Sequence, residues 1–294
     1  MMEERRKPVL GRVVPGVSPD LQRRLQRFYA IVQTLSPALA ARLAMRMFLT
    51  PPRRQLDASD APIVAQAVRT LVPIGADAFT KWTWGEGAPV VVVLHGWGSH
   101  AARFGDFIAP LRAAGYTVVG IDAPAHGASP GRLSDLPRFR DSLVEVLRAH
   151  QPVHAVIGHS LGGAATLTML AETQEFHPNR ICLFGVPSDM DYILESFAMM
   201  LGLKTRALAK LRERFARQFG RAARDISIAA AAPHVRIPVM VVHDEEDNVA
   251  PLAQGTALVA AIPGATLVLT KGLGHSGGLR DPATIARVVA FLRE

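Results

Sequence analysis

The residues with most chemical potential lie in one run, Gly158-His159-Ser160-Leu161-Gly162-Gly163. A serine hydroxyl is a weak nucleophile until a base takes its proton and donors hold the charge that develops on the substrate. This serine follows a predicted strand at 153–157 and precedes an apolar helical segment at 161–172. A chain that turns sharply from strand into helix strains its apex residue and projects that side chain outward. Gly158 and Gly162 let neighbouring backbone pass closely, and the start of the helix offers free N–H groups. Ser160 is therefore the expected nucleophile, and the Leu161 N–H one expected oxyanion donor.

A base must then be chosen from ten histidines. His275 lies in Gly272-Leu273-Gly274-His275-Ser276-Gly277, read as a flexible loop after the last predicted strand. Open α/β sheets gather functional groups in such loops. His159 is expected to line the elbow, and His95 to be structural, with its ring tied to nearby backbone. His100, His150, His154, His177 and His234 are expected on the surface or in loops. A carboxylate should fix the imidazole tautomer, and three are available. Asp244 and Asp247 share the loop after a strand at 239–243, and Asp189 follows a strand at 180–185. A second oxyanion donor is expected from His95-Gly96-Trp97-Gly98, after the run at 90–94. The Trp97 N–H is best placed, and its indole can wall an acyl pocket. Loss of one such donor costs roughly 3 kcal/mol in the transition state.

The elements that must position these groups alternate. Strands are expected at 76–84, 90–94, 117–121, 153–157, 180–185, 239–243 and 266–270. Helices are expected at 101–114, 136–150, 161–172, 252–261 and 282–292. This rhythm implies a mostly parallel sheet covered on both faces. A core at 76–186 and 238–294 is interrupted at 187–237 by segments that read as helices at 190–201 and 205–219, with a third near Ile226. So much extra chain implies a use, and a cap insertion is the expectation. Its Met199 and Met200, with Trp97 and His159, are candidates for substrate contact. Residues 1–75 read as a loose arm to residue 20 and a helical extension, with a short helix at 61–71. Leu21, Leu25, Phe28 and Val32 recur at helical spacing and are expected to pack on the main domain or over a cleft. Ser36-Pro37 marks a break and a new helix start.

The chain of 294 residues is 49% hydrophobic and 20% charged, as expected of a globular enzyme. The single cysteine, Cys182, rules out an internal disulfide and reads as a core thiol. No Cys/His cluster suggests a metal, and no cofactor is expected. No signal-like or membrane-spanning segment is apparent, so the expected compartment is the cytoplasm. The net charge of +8 is concentrated: residues 1–60 hold eleven Lys/Arg against five Asp/Glu, and residues 204–236 nine against two. An Arg-rich solvated surface accounts for this, so no nucleic-acid partner is expected. Peripheral membrane contact through the N-terminal helices is the minor alternative.

Together these motifs resemble the α/β-hydrolase superfamily over roughly residues 76–294. The pattern D-x-P-G-H-G-x-S appears as Asp122-Ala123-Pro124-Ala125-His126-Gly127-Ala128-Ser129, with Ala125 in place of glycine. The acid-loop pattern H-G-x-x-D-x-x-x-P aligns with His243 through Pro251 and selects Asp247, with Asp244 where the family has glycine. The resemblance implies an α/β-hydrolase fold and a Ser160–Asp247–His275 triad. It implies hydrolysis of a carboxylic ester or thioester, on a small acyl substrate of hydrophobic or anionic character. C–C bond hydrolysis and acyl transfer use the same triad, and a non-catalytic binding protein is the alternative of another class. An aminopeptidase would want acidic cap residues where this cap is basic. Residues 1–75 match no family feature.

Overall fold

The computed structural model describes residues 18–53, 56–173, 175–226, 228 and 235–294. The arm up to residue 17, the alanine run at 229–232 and His234 lie outside the described residues. In chain order the helices are α1 (Pro19–Leu35), α2 (Pro37–Phe48), α3 (Ala61–Val64), α4 (Gly105–Ala113), α5 (Leu136–Ala149), α6 (Leu161–Glu172), α7 (Met190–Met200), α8 (Thr205–Phe219), α9 (Leu252–Ala261), α10 (Gly274–Gly277) and α11 (Pro282–Arg293). The strands are β1 (Val68–Ile74), β2 (Asp77–Trp84), β3 (Val90–Leu94), β4 (Thr117–Asp122), β5 (Val153–His159), β6 (Arg180–Phe184), β7 (Val239–Asp244) and β8 (Thr266–Thr270). Contacts divide the chain into a helical unit, drawn from Met1–Thr50 and Asp189–Ser227, and a sheet unit, drawn from Pro51–Ser188 and Ile228–Glu294.

The sheet unit holds all eight strands in the order β1-β2-β4-β3-β5-β6-β7-β8. β1 and β2 are antiparallel to their neighbours, and every pairing from β4 to β8 is parallel. β3 and β4 are buried along their whole lengths, as strands covered on both faces must be. One face carries Val91, Val93, Ile157, Cys182 and Val242 into a core shared with Phe107 and Leu111 of α4 and with Val288 and Phe291 of α11. Burial of the Cys182 thiol pushes its pKa up, away from reactivity. The chain runs from β3 to β4 on one side and then crosses to β5 on the other. Loops leaving β3 and β5 therefore flank the switch point where such sheets open a crevice.

In the helical unit Ser36 ends α1, its N–H donating to Val32, and its hydroxyl caps α2 by accepting from the Leu39 N–H at 3.2 Å. α2 packs on α8, burying Ala40, Ala44 and Met45 on one helix and Leu211 and Phe215 on the other. The Phe48 ring meets Phe197 and Phe215 edge-on at 5.2 and 6.2 Å. Gln33 joins α1 to the turn after α7: its amide donates to the Gly202 carbonyl at 2.9 Å and accepts from the Lys204 N–H at 2.7 Å. Arg212 of α8 binds both Asp191 and Glu195 of α7.

Four sequence readings change. The helix expected at 61–71 stops at Val64, and β1 follows; its outward side chains and single paired edge hide the alternation that marks a strand. β1 also places residues 68–74 in the sheet and not in a helical extension. The third helix near Ile226 is a single 3-10 turn, Ala223–Asp225. Of the four residues expected to pack along α1, Leu25 and Val32 are half-buried but Leu21 and Phe28 are exposed, while Tyr29 and Gln33 are the buried ones.

Candidate active site

Ser160 stands at the tip of β5 and at the N-cap of α6, with φ 51° and ψ −117°. A positive φ in a non-glycine residue costs energy and persists only where the surroundings impose it. Here they do. The Ser160 N–H donates to the Phe184 carbonyl at 2.8 Å, and its own carbonyl accepts from Ala164 at 3.0 Å. The glycines are close-packed: a Cβ on Gly162 would lie 2.2 Å from the Leu94 carbonyl oxygen, and one on Gly158 2.6 Å from Gly163 Cα. Only bare backbone lets α6 start directly against the ends of β3 and β5.

His275 and Asp247 come from the loops after β8 and β7. His275 Nδ1 lies 2.8 Å from Asp247 Oδ2. An ionised carboxylate can only accept, so Nδ1 carries the proton and Nε2 is left as the acceptor. The other Asp247 oxygen accepts the N–H groups of Val249 and Ala250 at 2.8 and 2.9 Å. Burial works to raise the Asp247 pKa, but the bond and charge of His275 and those two amides outweigh it, leaving the carboxyl below its usual range. Gly185, at φ +54°, leaves room for the pair; a Cβ there would stand 3.0 Å from His275 Nδ1 and 3.1 Å from Asp247 Oδ2.

The His275 segment is not a flexible loop. Residues Gly274–Gly277 form the helical turn α10, and Asp244 anchors the approach to it. Its Oδ2 accepts from the Thr270 hydroxyl at 2.7 Å and from the Leu273 N–H at 3.0 Å. Asp244 is thus an organiser of the histidine loop, and Asp189 caps α7 by accepting from Asp191 and Tyr192. Of the three carboxylates, only Asp247 binds His275.

His159 approaches the same histidine. Its ring lies 4.8 Å from the His275 ring, and its Nε2–H donates to the His275 carbonyl at 3.0 Å. Burial, with the neighbouring His275 charge, lowers its pKa to about 3, so the ring is neutral near neutral pH. On the other side, the loop after β3 presses on the nucleophile: a Cβ at Gly96 would be 2.9 Å from Ser160 Cβ. That loop is held from below. His95 Nδ1–H donates to the Gly96 carbonyl at 2.7 Å, and its Nε2 accepts from Ala123 at 3.1 Å. His126 packs edge-on against the Trp97 ring at 5.1 Å, and Trp97 is exposed. Asp122, fully buried, accepts from Trp82 Nε1, Ala101 N–H and Ala128 N–H at 2.9, 2.6 and 2.9 Å. The D-x-P-A-H-G-x-S motif is therefore a buttress for the Trp97 loop.

Ser160, Leu161, Trp97, Asp247 and His275 all follow the C-terminal ends of strands in the sheet unit, and His159 is the last residue of β5. Met199 and Met200 belong to α7 in the helical unit, where Met200 is buried. His100, expected on the surface or in a loop, lies in the loop after β3 and is buried there, with Nε2 3.4 Å from Asp60 Oδ2. Sequence reasoning missed Gly185 and the anchoring role of Asp244. A glycine directly after a buried strand was the only signal for the first, and the departure from the family's glycine the only one for the second.

A family model described as "Alpha/beta hydrolase family" matches residues 91–288. A pimeloyl-[acyl-carrier protein] methyl ester esterase of Chromobacterium violaceum is 42% identical over 101 residues, covering 34% of this chain and 36% of that protein. An esterase of Mycobacterium tuberculosis is 31% identical over 165 residues, covering 55% of this chain and 53% of that one. The chain thus spans about a third to a half of these two relatives. Among solved structures, an esterase of Pyrococcus furiosus superposes with a TM-score of 0.63 at 19% identity, covering 83% of this chain and 98% of that one. At that identity the likeness is one of fold.

Proposed function

The chain belongs to the alpha/beta hydrolase family, and on that premise we propose that it is a serine hydrolase cleaving a carboxylic ester or thioester through an acyl-enzyme on Ser160. The observation that carries this reading is the 2.8 Å bond from His275 Nδ1 to Asp247, which leaves Nε2 free to accept a proton, at the strand ends where the strained Ser160 stands. In the first half-reaction His275 Nε2 takes the Ser160 proton as Oγ attacks the carbonyl carbon. The N–H groups of Leu161 and Trp97 receive the oxyanion. Collapse expels the alcohol or thiol, which leaves with the proton from His275. Water then gives a proton to His275 and attacks the acyl carbon, and as the Oγ–acyl bond breaks His275 returns that proton to Ser160, releasing the acid. Relatives named as esterases support the ester class. Trp97 and His159 are proposed to select the acyl group.

The test is labelling with a fluorophosphonate probe alongside hydrolysis of p-nitrophenyl esters of increasing chain length and of an acyl-CoA. Wild type should be labelled and should release p-nitrophenol, and Ser160→Ala should do neither. Equal labelling of the two proteins would remove Ser160 from its role. Labelling of wild type without release from any ester or thioester would move the reading to C–C cleavage or acyl transfer.

A further inference from the structure

The helix α1 turns two glutamines inward beside the buried Tyr29 and leaves large apolar side chains outside. Gln26 and Gln33 face into the helical unit, donating to the carbonyls of Met200 and Gly202 at 3.1 and 2.9 Å. The opposite face carries Leu21, Phe28, Ile31 and Leu35, all exposed, and the next exposed apolar residue, Leu39, opens α2. Positions 21, 28 and 35 stand two turns apart, with 24 and 31 between them, so Arg24 lies within the apolar stripe and Arg27 beside it. Ile31 and Leu35 are 65% and 80% exposed, which excludes packing within the unit as their use. Arg23 pairs with Asp20, whereas no ion pair engages Arg24 or Arg27 among the described residues.

Charge selects the occupant. The helical unit holds seventeen Lys/Arg against eight Asp/Glu, and the sheet unit sixteen against seventeen. The whole positive balance of the protein therefore resides in the unit that presents the stripe. We propose that this face of α1 docks on an anionic phospholipid surface, with Leu21, Phe28, Ile31 and Leu35 entering the headgroup–acyl boundary and Arg24 and Arg27 meeting lipid phosphates. A surface helix with an apolar stripe and a basic flank lies in the interface plane and gains from both burial and charge. No described helix is long and apolar enough to cross a membrane, so the contact is peripheral. A second copy on the same face would bring two strongly basic units together, a repulsion that anionic lipid replaces with attraction.

Flotation of the full-length protein with phosphatidylcholine vesicles, with and without phosphatidylserine, tests this. Binding should require phosphatidylserine and weaken as salt is raised. The pair Phe28→Ser/Ile31→Ser should lose about tenfold or more in vesicle affinity, and Arg24→Glu/Arg27→Glu about tenfold. All these side chains are exposed, so melting temperature and probe labelling should stay at wild-type values. No flotation with anionic vesicles, or equal flotation of wild type and both variants, would overturn the proposal. So would a dimer in solution that Phe28→Ser/Ile31→Ser dissociates, or vesicle binding that appears only when residues 1–17 are removed.

Discussion

Three histidines around the candidate site carry a cost that shows in the response of the protein to acid. Burial lowers the pKa of His95, His126 and His159 from an ordinary value of 6.5 to about 3 in each case. Between these limits the unfolded chain binds protons that the folded one refuses, so stability falls as pH drops below about 6.5. Each histidine contributes roughly 1 kcal/mol per pH unit to that slope. Unfolding by urea at pH 7 and pH 5 should therefore show a loss of a few kcal/mol, with uptake of close to three protons. Asp244 and Asp247, whose pKa values are lowered in the fold, add a further loss only below about pH 4. A stability unchanged between pH 7 and 5 would contradict the neutral, buried state of the three rings.

The elements meet through backbone at the elbow, and this makes glycine indispensable there. At Gly162 a methyl would have to occupy the space of the Leu94 and His95 carbonyl oxygens, at 2.2 and 2.5 Å. Neither can retreat, because both belong to the buried end of β3 and its continuation. Gly162→Ala should therefore push α6 off the sheet and cost about 3 kcal/mol, measured as a fall in the denaturant midpoint. Gly264, at φ +73° with open space around its Cβ position, supplies the control. Gly264→Ala should cost only about 1 kcal/mol, for the backbone strain alone. Equal losses would show that the close contact at the elbow is not what demands glycine.

At the scale of the whole molecule, the N-terminal helices and the inserted helices 189–227 are one structural unit drawn from distant parts of the chain. α2 covers the apolar face of α8, and Phe48 touches both Phe197 and Phe215. Deleting residues 1–50 should therefore uncover Leu211 and Phe215 rather than simply shorten the protein. The expected outcome is strong binding of a hydrophobic dye and loss of solubility above that of the full chain. A truncated protein that stays soluble and binds no dye would show that α7 and α8 close on themselves.

Most of the parallel sheet was legible because its physics is local. The continuous β-branched run at 90–94 and the glycines around Ser160 report burial on two faces and a sharp turn, whatever lies elsewhere in the chain. Strand order alone left the carboxylate open, since Asp244, Asp247 and Asp189 all follow strands; resemblance to the acid-loop pattern pointed to Asp247, and the packing of β7 against β8 brings it to His275. β1 escaped notice because an edge strand with outward side chains shows little period. The orientation of α1 escaped for a related reason. Helical spacing reveals that a helix has an apolar face, but which face turns inward depends on what the partner helices offer. Here the carbonyls of Met200 and Gly202 drew the glutamines in, and left Phe28 and Leu35 facing out.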